Sequence, residues 1–271
     1  MFPRLISIGP FTLYTYGLLL AVAFIAGLWL ATRRARRAGL DPARALDLGV
    51  LVIIAAIVGA RLLMVVVDGP SILRDPAQLI AIARAGGVFY GGLLAAVGTA
   101  LWYLRRHAMP LWATCDAFAP GIALGHVVGR LGCLMAGCCY GRPTDLPWAV
   151  TFHDPFTADY VGAPTGVPLH PTQLYEAGAE AAILVLLLAL ERRGRSFPGR
   201  TFWAYMALYA SSRFVIEFFR GDPRGAFGPL STSQAIAVAI LPFSLIMLAL
   251  LARRPHAAAP AHGRPTRSTH R

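Results

Sequence analysis

Residues 129–141 carry the side chains of this chain that are best suited to chemistry. They read GRLGCLMAGCCYG, with one arginine, four glycines and three cysteines. A guanidinium group binds phosphate or carboxylate oxygens, and a thiol can act as a nucleophile or a metal ligand. In a largely apolar chain, an arginine beside glycine-broken backbone is tolerated only where protein or a water-filled cavity surrounds it. The segment therefore predicts a functional site and not a spacer.

Two other arginines, Arg61 and Arg213, also interrupt apolar stretches. Glu217 lies four residues after Arg213 and three before Arg220, so helical spacing predicts one carboxylate shared by two guanidinium groups. An ion pair that holds helices in register would explain Arg213 alone. Since only 13 residues of the chain are acidic, we expect a surplus of positive charge that an anionic ligand neutralises. In a membrane, that ligand would be the phosphate of a phospholipid head group.

The elements that must position these residues are membrane helices. Of the 271 residues, 56% are hydrophobic and 14% are charged, and the mean hydropathy of +0.58 lies outside the range of soluble domains. All 25 lysine-or-arginine positions hold arginine, so the high pI reflects arginine placement, and no nucleic-acid partner is expected. The chain is predicted to be an integral membrane protein.

Seven apolar runs are long enough to cross about 30 Å of hydrocarbon as helices. They cover residues 11–32, 46–67, 87–104, 112–130, 174–190, 201–219 and 232–252. The first run is too long for a cleaved signal peptide, and its arginines follow the apolar core. When the loops alternate, sixteen arginines fall on one side, which the positive-inside rule assigns to the cytoplasm. The prediction is an all-α, polytopic protein with seven transmembrane helices, its N-terminus outside and its C-terminus cytoplasmic.

We expect one membrane domain over residues 1–254, with an irregular extracytoplasmic connection at about 131–171 between the fourth and fifth helices. Residues 255–271 are rich in Ala, Pro, His and Arg without a periodic apolar pattern, which predicts a disordered, basic cytoplasmic tail. No internal repeat is evident, which argues against transporter folds built from paired halves.

Two glycine pairs, Gly86-Gly87 and Gly91-Gly92, bracket Tyr90 at the predicted start of the third helix. Close helix packing is one explanation, because small residues let membrane helices approach each other. The functional alternative is a local break that leaves backbone amides and the Tyr90 hydroxyl facing a cavity.

The fifth helix opens with HPTQLYE at residues 170–176, with Pro171 in the first turn, where its missing N–H costs nothing. A helix start alone would explain this segment. Glu176, however, lies one turn into the membrane and Glu180 one turn deeper, and buried acids at such depth are rarely without a role.

Together these motifs resemble the prolipoprotein diacylglyceryl transferase family over about residues 8–234. The matching blocks are Tyr16-Gly17, Gly59-Ala60-Arg61, the two glycine pairs, Gly129-Arg130-Leu131-Gly132, Gly141, residues 170–176, Tyr209, Arg213 to Arg220 and Ser231 to Gln234. The resemblance implies a multi-pass enzyme of the bacterial cytoplasmic (inner) membrane, with no cofactor and no metal. Its substrates would be phosphatidylglycerol, a membrane lipid, and the signal peptide of a prolipoprotein, and its products a diacylglyceryl thioether on the lipobox cysteine and glycerol phosphate.

The resemblance also implies roles for individual residues. A thiolate displaces phosphate from a glycerol carbon, and by motif position Arg130 and Arg213 would stabilise the departing phosphate. Other residues would contact the substrates. These are Arg61, Tyr16, Gly129, Gly141, His170, Gln173, Tyr175, Glu176, Tyr209, Glu217 and Arg220.

The chain departs from the family pattern at three positions. Tyr90 stands where the family carries a histidine, Cys133 replaces a common asparagine, and Cys138 replaces an acid. Tyr90 is the candidate base by position, but a tyrosine with a pKa of about 10 is a poor base at neutral pH.

His126 lies four residues before Arg130, so both side chains project from the same helical face. Our hypothesis is that His126 replaces the missing histidine as a catalytic residue. His170 is the rival base, and a histidine that hydrogen-bonds to a neighbouring helix is the structural explanation.

Four interpretations of Cys133, Cys138 and Cys139 are open. They are packing in a tight turn, a disulfide from Cys133 to one of the adjacent pair, a zinc site completed by a histidine, and a catalytic thiol activated by Arg130. The spacing matches no standard zinc motif. Cys115 is expected to serve packing.

Two other functions remain open. A diverged paralogue would use the same phospholipid site with another acceptor, which the substitutions at Tyr90 and the cysteines favour. A lipid or anion transporter would act without a covalent product and usually shows repeat symmetry.

Overall fold

The computed structural model describes residues 3–8, 11–67, 88–192, 197–222 and 225–253, and most of these residues are helical. The helices are α1 (Thr15–Arg37), α2 (Pro42–Val67), α3 (Phe89–Arg106), α4 (Leu111–Ala136), α5 (Pro155–Val161), α6 (Thr172–Arg192), α7 (Arg200–Ile216) and α8 (Thr232–Ala252). Three antiparallel strand pairs accompany them: β1 (Arg4–Ile8) with β2 (Phe11–Tyr14), β3 (Val150–Thr151) with β4 (Pro168–Leu169), and β5 (Ala226–Phe227) with β6 (Leu230–Ser231).

Five of these helices, α1, α2, α4, α6 and α8, are long and apolar enough to cross a membrane. Large apolar side chains also point away from the protein, among them Ile25, Val66 and Leu94, which are 69%, 73% and 72% exposed. A helix that is apolar on its outer as well as its inner face is typical of a membrane span. The prediction of a mostly helical membrane protein is confirmed at this level.

The helices overlap all seven predicted apolar runs but differ from them at several ends. Residues 11–14 form strand β2, which pairs with β1 before α1 begins. Helix α4 continues to Ala136 instead of ending at residue 130, because the chain first leaves the helix at Gly137, whose φ of 80° suits a glycine C-cap. Helix α7 ends at Ile216, and a short 3-10 turn follows it.

The connection between α4 and α6 therefore begins at Gly137, later than predicted, and contains β3, α5 and β4. The predicted tail at 255–271 and the Gly86-Gly87 pair lie outside the described residues.

Glycines allow the closest helix contacts. Helices α1 and α4 cross at Gly27 and Gly121, where an added Cβ at either position would lie within 3 Å of the other glycine's carbonyl oxygen. Helix α3 lies against α2 in the same way, with Gly91 against the backbone of Gly59 and Gly92 against Ala56. Close packing, which small residues permit, is thus confirmed for Gly91 and Gly92.

The core of the bundle lies where α4, α6 and α7 meet. Ala119, Ala123, Ile183, Leu187 and Tyr205 are buried together there. This packing brings the N-termini of α1, α6 and α8 to the same end of the bundle as the C-termini of α4 and α7. We call it the Glu176 end, and we call the opposite end, where α4 and α7 start and α1 and α6 finish, the Asp116 end.

Candidate functional site

Glu176 is the centre of a buried network at the Glu176 end. Its side chain is 4% exposed, and its Oε1 accepts hydrogen bonds from Arg213 Nη1 at 2.7 Å and from Arg220 Nη1 at 2.9 Å. Arg130 Nη2 lies 2.5 Å from the other oxygen, Oε2. One carboxylate on α6 therefore joins guanidinium groups from α4, α7 and the segment that follows α7.

Two further acids complete this network. Glu217 pairs with Arg213 at 2.5 Å, and Ser233 Oγ accepts a bond from the same guanidinium at 3.1 Å. Asp222 accepts two bonds from Arg220, at 2.8 and 2.9 Å. The arginine cluster comprises Arg130, Arg213, Arg220, Glu176, Glu217 and Asp222.

Two predictions about these charges are wrong. The carboxylate shared between arginines is Glu176, whereas the Glu217 side chain binds Arg213 and the Arg220 side chain turns to Glu176 and Asp222. The expected surplus of positive charge is also missing from the cluster, where three arginines face three acids. Helical spacing finds partners within one helix, but Glu176 reaches the arginines only through the packing of α6 against α4 and α7.

The start of α6 is fixed to the turn that follows α4. Thr172 Oγ1 donates to the carbonyl of Cys139 and Gln173 Nε2 donates to the carbonyl of Cys138, each at 2.7 Å, and both side chains are buried. These bonds set the first turn of α6 and hold Glu176, one turn further on, beside Arg130. The expectation that Glu176 and Glu180 are buried and engaged is confirmed.

Arg220 and Arg130 differ in how many N–H donors they have left. Arg220 is 2% exposed and uses Nε, Nη1 and Nη2 on carboxylates. Arg130 is 15% exposed, and its Nε and Nη2 are engaged, while Nη1 has no partner in the described part of the chain. A guanidinium has five N–H donors, so Arg130 can bind an anion without leaving Glu176.

His126 is held between Arg130 and Glu180. Its Nδ1 lies 2.8 Å from Glu180 Oε1, and its Nε2 accepts a bond from Arg130 Nε at 3.2 Å. Because arginine can only donate, this arrangement places the imidazole proton on Nδ1. The predicted common face of His126 and Arg130 is confirmed, and His126 also contacts a neighbouring helix, since Glu180 is on α6.

Two tyrosines line the same region. The Tyr209 ring lies 5.5 Å from the His126 ring, and the Tyr16 ring packs over Gly132, 3.3 Å from where a Cβ would lie. At Gly129, by contrast, an added Cβ would meet nothing within 4 Å. The helix surface one residue before Arg130 is therefore open.

Three backbone segments meet at Gly141, and they leave no room there for a side chain. Its N–H donates to the carbonyl of His170 at 3.1 Å, the next N–H donates to Phe219, and a Cβ at Gly141 would lie 2.5 Å from the His170 oxygen. Nearby, Tyr175 Oη accepts a bond from Trp148 Nε1 at 2.8 Å and contacts His170 Nδ1 at 3.1 Å. These contacts close one side of the cluster.

The three clustered cysteines meet beside Arg130. Cys133, Cys138 and Cys139 are free thiols whose sulfurs all lie within 4.8 Å of one another. A hydrogen bond from the Cys133 thiol holds the pKa of the Cys139 thiol below its usual range, against the effect of burial, and the charges of Arg220 and Arg130 act in the same direction. Cys115 is a free thiol near the other end of α4.

Two predicted residues lie apart from Glu176. Tyr90 is on α3 and is 46% exposed, and Arg61 is half-buried on α2. Neither is among the described contacts of Glu176.

Sequence reasoning missed two partners in this site, Asp222 and Trp148, and it gave no contact to Ser233, which lies in the matching block Ser231 to Gln234. Asp222 was detectable in principle, since it stands two residues after Arg220, but the other two approach only in the folded chain.

Comparison with known proteins agrees with this description. Residues 3–250 match the family described as prolipoprotein diacylglyceryl transferase. The chain is 34% identical over 239 residues to the phosphatidylglycerol–prolipoprotein diacylglyceryl transferase of Clostridium tetani, covering 88% of this chain and 93% of the relative. It is 34% identical over 230 residues to the enzyme named transferase 2 in Clostridium perfringens, covering 84% and 87%. It is 33% identical over 254 residues to the phosphatidylglycerol–prolipoprotein diacylglyceryl transferase of Solidesulfovibrio magneticus, covering 91% of this chain and 93% of the relative.

A match over nearly the whole chain, together with relatives of this identity and coverage, leads to one conclusion. The chain belongs to the prolipoprotein diacylglyceryl transferase family.

Proposed function

We propose that this protein transfers the diacylglyceryl group of phosphatidylglycerol to the thiol of the lipobox cysteine in a prolipoprotein signal peptide. The products are a diacylglyceryl thioether and glycerol phosphate. The observation that carries this proposal is the convergence of Arg130, Arg213 and Arg220 on one buried carboxylate, with donors of Arg130 left for a phosphate. The names of the relatives, which contain both substrates, support it.

All seven long helices cross the bacterial cytoplasmic membrane in this proposal, with the Glu176 end outside. Helix α7 has 17 residues and α3 has 18, lengths of about 26 and 27 Å that nearly span the hydrocarbon layer. Arginines such as Arg34 and Arg37 at the end of α1, and Arg192 at the end of α6, lie at the Asp116 end. The positive-inside rule then places the Asp116 end in the cytoplasm.

The chemistry is a displacement at the glycerol carbon that bears the phosphate ester. The thiolate forms a C–S bond, the C–O bond breaks, and its electron pair leaves on the phosphate oxygen, so negative charge grows there. Arg130 and Arg213 stabilise this charge, and Glu176 holds both guanidinium groups in place before the substrate arrives. Preorganised donors of this kind contribute about 10²- to 10³-fold each in rate.

His126 is the proposed base for the acceptor thiol. When Arg130 turns its Nε from His126 to the phosphate, the lone pair of His126 Nε2 becomes available to accept a proton. Glu180, at 2.8 Å from Nδ1, then stabilises the imidazolium. His170, whose Nδ1 contacts Tyr175, and the exposed Tyr90 are the rival bases.

The other predicted contacts fall into two groups in this proposal. Tyr16, Gly129 and Tyr209 border the phosphate position, and Arg61 contacts the lipid elsewhere. The remaining residues hold the site in shape. They are Gly141, His170, Gln173, Tyr175, Glu176, Glu217 and Arg220.

The test is to incubate the purified protein with phosphatidylglycerol and a lipobox peptide and to detect the thioether by mass spectrometry. We expect product from the wild-type chain and loss of it in Arg130→Ala, while the matched control Arg44→Ala, at an exposed arginine of α2, stays active. Lipid consumption without a peptide product would support another acceptor, and lipid movement without any covalent product would support a transporter.

A further inference from the structure

The turn after α4 gathers three thiols at one point. The sulfurs of Cys133, Cys138 and Cys139 all lie within 4.8 Å of one another, and the residues are half-buried. Two residues with positive φ, Gly137 at 80° and Cys139 at 62°, fold the chain back onto the helix end. A cysteine rarely adopts this conformation, and such strain in a folded protein is often found at functional sites.

The surrounding structure holds this turn in place. The carbonyls of Cys138 and Cys139 each accept a side-chain bond at 2.7 Å, from Gln173 and Thr172 respectively, and the Cys138 thiol points back to the carbonyl of Cys133 at 3.8 Å. Both donors are buried at the start of α6. The backbone of Cys138 and Cys139 is therefore held by bonds other than those between the sulfurs.

The separation of the sulfurs fits a thiophilic divalent cation. Three thiolates that bind one Zn²⁺ at about 2.3 Å in a tetrahedron lie about 3.8 Å apart, so the sulfurs need to approach by at most about 1 Å. Among the described residues, no histidine, aspartate, glutamate or fourth cysteine joins this group. Structural zinc sites have four protein ligands, whereas catalytic sites have three and keep the fourth position for water or substrate.

We propose that Cys133, Cys138 and Cys139 bind Zn²⁺ through three thiolates, and that the fourth position of the metal binds the thiol of the acceptor cysteine. This inference rests on the proposed transfer reaction. A thiol bound to Zn²⁺ gives up its proton and remains a nucleophile, which is the activation that the reaction needs.

The position of the site also suits the reaction. Cys133 follows Arg130 by three residues on α4, so their side chains are neighbours on one helical face, with Cβ atoms about 5 to 6 Å apart. A phosphate on Arg130 and an acceptor sulfur on the metal would therefore lie side by side.

The step balances without a redox change. The acceptor S–H proton goes to His126 or to solvent, the sulfur forms the C–S bond, and the C–O bond breaks with its electron pair on the phosphate oxygen. Zinc stays divalent throughout. The thioether product carries no charge and is a weaker ligand than the thiolate, so it leaves the metal.

Metal binding is measured first, on the full chain purified in detergent with a phosphine reductant. After incubation with ZnCl₂ and dialysis, elemental analysis is expected to find about one zinc per chain. Replacement by Co²⁺ is expected to give the near-ultraviolet absorption of cobalt–thiolate bonds. Cys133→Ser, Cys138→Ser and Cys139→Ser should each lose most of the metal.

The matched control is Cys115→Ser, a cysteine on the same helix about 27 Å from Cys133, which is expected to keep the zinc. If a serine variant fails to fold, the cobalt titration of the wild-type chain decides alone. The inference is overturned if the reduced wild-type chain neither retains zinc nor gives the cobalt–thiolate band. It is equally overturned if the cysteine variants keep the metal, or if two of the thiols form a disulfide in the active enzyme.

Transfer activity then connects the metal to the reaction. Chelation is expected to lower the rate by about 100-fold, the scale of acid–base activation, and added zinc to restore it. The cobalt d–d spectrum should change when a lipobox peptide is added and not with its Cys→Ser analogue. If the enzyme stays fully active after chelation, the metal site is refuted and the proposed function stands. If the protein binds zinc and its cobalt spectrum responds to the peptide, but no thioether forms from phosphatidylglycerol, the metal site stands and the proposed transfer is refuted.

Discussion

Charged side chains are buried at both ends of the helix bundle, but at the Asp116 end, apart from the ion pair between Arg34 and Glu191, they bind backbone groups. At the Asp116 end, the Asp116 carboxylate accepts the N–H groups of Gly199 at 2.6 Å and Phe202 at 2.8 Å, and Arg200 donates to the carbonyl of Leu190 at 2.6 Å. These bonds satisfy backbone groups that a helix leaves open at its ends. At the Glu176 end, the charged groups bind one another across three segments of the chain.

This difference separates structural charges from functional ones. A carboxylate that caps a helix start cannot change partner without exposing backbone N–H groups to an apolar environment. A guanidinium that shares a carboxylate with two others can turn a remaining N–H donor to a phosphate while it stays on the carboxylate. Arg130, the most exposed of the three, is in the best position to do so.

The largest effect is expected for Glu176→Gln. Loss of this charge leaves three buried arginines with two acids, which should reduce transfer to background and lower the free energy of unfolding by about 3 to 5 kcal/mol. Thioether formation and thermal unfolding in the same detergent measure both effects. If a stable Glu176→Gln protein kept full activity, the charges at the Glu176 end would not be the functional ones, and the distinction from the structural charges at the Asp116 end would be wrong.

His126→Ala is expected to lower the transfer rate of the folded protein by about 10²-fold, because a general base contributes on this scale. Stability should fall as well, because the buried Glu180 loses its contact with His126. The matched control is His170→Ala, which should lose less than tenfold in rate. A fully active His126→Ala enzyme, together with an inactive His170→Ala or Tyr90→Phe, would transfer the role of base to one of those residues.

Asp116→Asn tests the opposite end. The carboxylate accepts bonds from the N–H groups of Gly199 and Phe202, one on each oxygen. An asparagine amide has only one oxygen, so one of these N–H groups would face the amide NH₂ and lose its bond. Stability should therefore fall by about 1 to 3 kcal/mol. The transfer rate of the folded fraction should stay unchanged. A loss of rate without a loss of stability would show that the Asp116 end takes part in the reaction.

The smallest effect is expected for Arg34→Ala. Arg34 pairs with Glu191 in a cavity that Arg33, Arg37 and Arg192 also line. Because one of these arginines can pair with Glu191 in place of Arg34, the free energy of unfolding should change by less than about 1 kcal/mol. Thermal unfolding checks this directly. A change as large as that of Glu176→Gln would mean that the two ends are equally coupled to the fold.

Much of this organisation was predictable from apolar runs and motifs, and each of the seven runs overlaps a long helix. The exceptions have local causes. Residues 11–14 pair as a strand although they are as apolar as the helix that follows, and α4 extends to the first left-handed glycine at residue 137. Periodicity alone does not show where backbone hydrogen bonds change from helix to strand.

The sequence predicted which residues form the site, but it did not predict which carboxylate each arginine binds. Arg130, Arg213, Glu176 and His126 were identified by type and motif, yet the shared carboxylate was assigned to Glu217 because helical spacing shows only neighbours within one helix. Contacts between α4, α6 and α7 depend on how these helices pack. For Tyr90, the family position indicated a role, but the structure puts its side chain on an exposed face of α3.

The most direct test of the phosphate role of Arg130 is a steady-state comparison of wild-type, Arg130→Lys and Arg130→Ala over a range of phosphatidylglycerol concentrations. If Arg130 stabilises charge that appears only as the phosphate leaves, kcat should fall by about 10²- to 10³-fold in Arg130→Ala, with a smaller change in KM and partial rescue by lysine. An increase in KM with kcat unchanged would contradict this role, because Arg130 would then bind the lipid equally before and during the reaction.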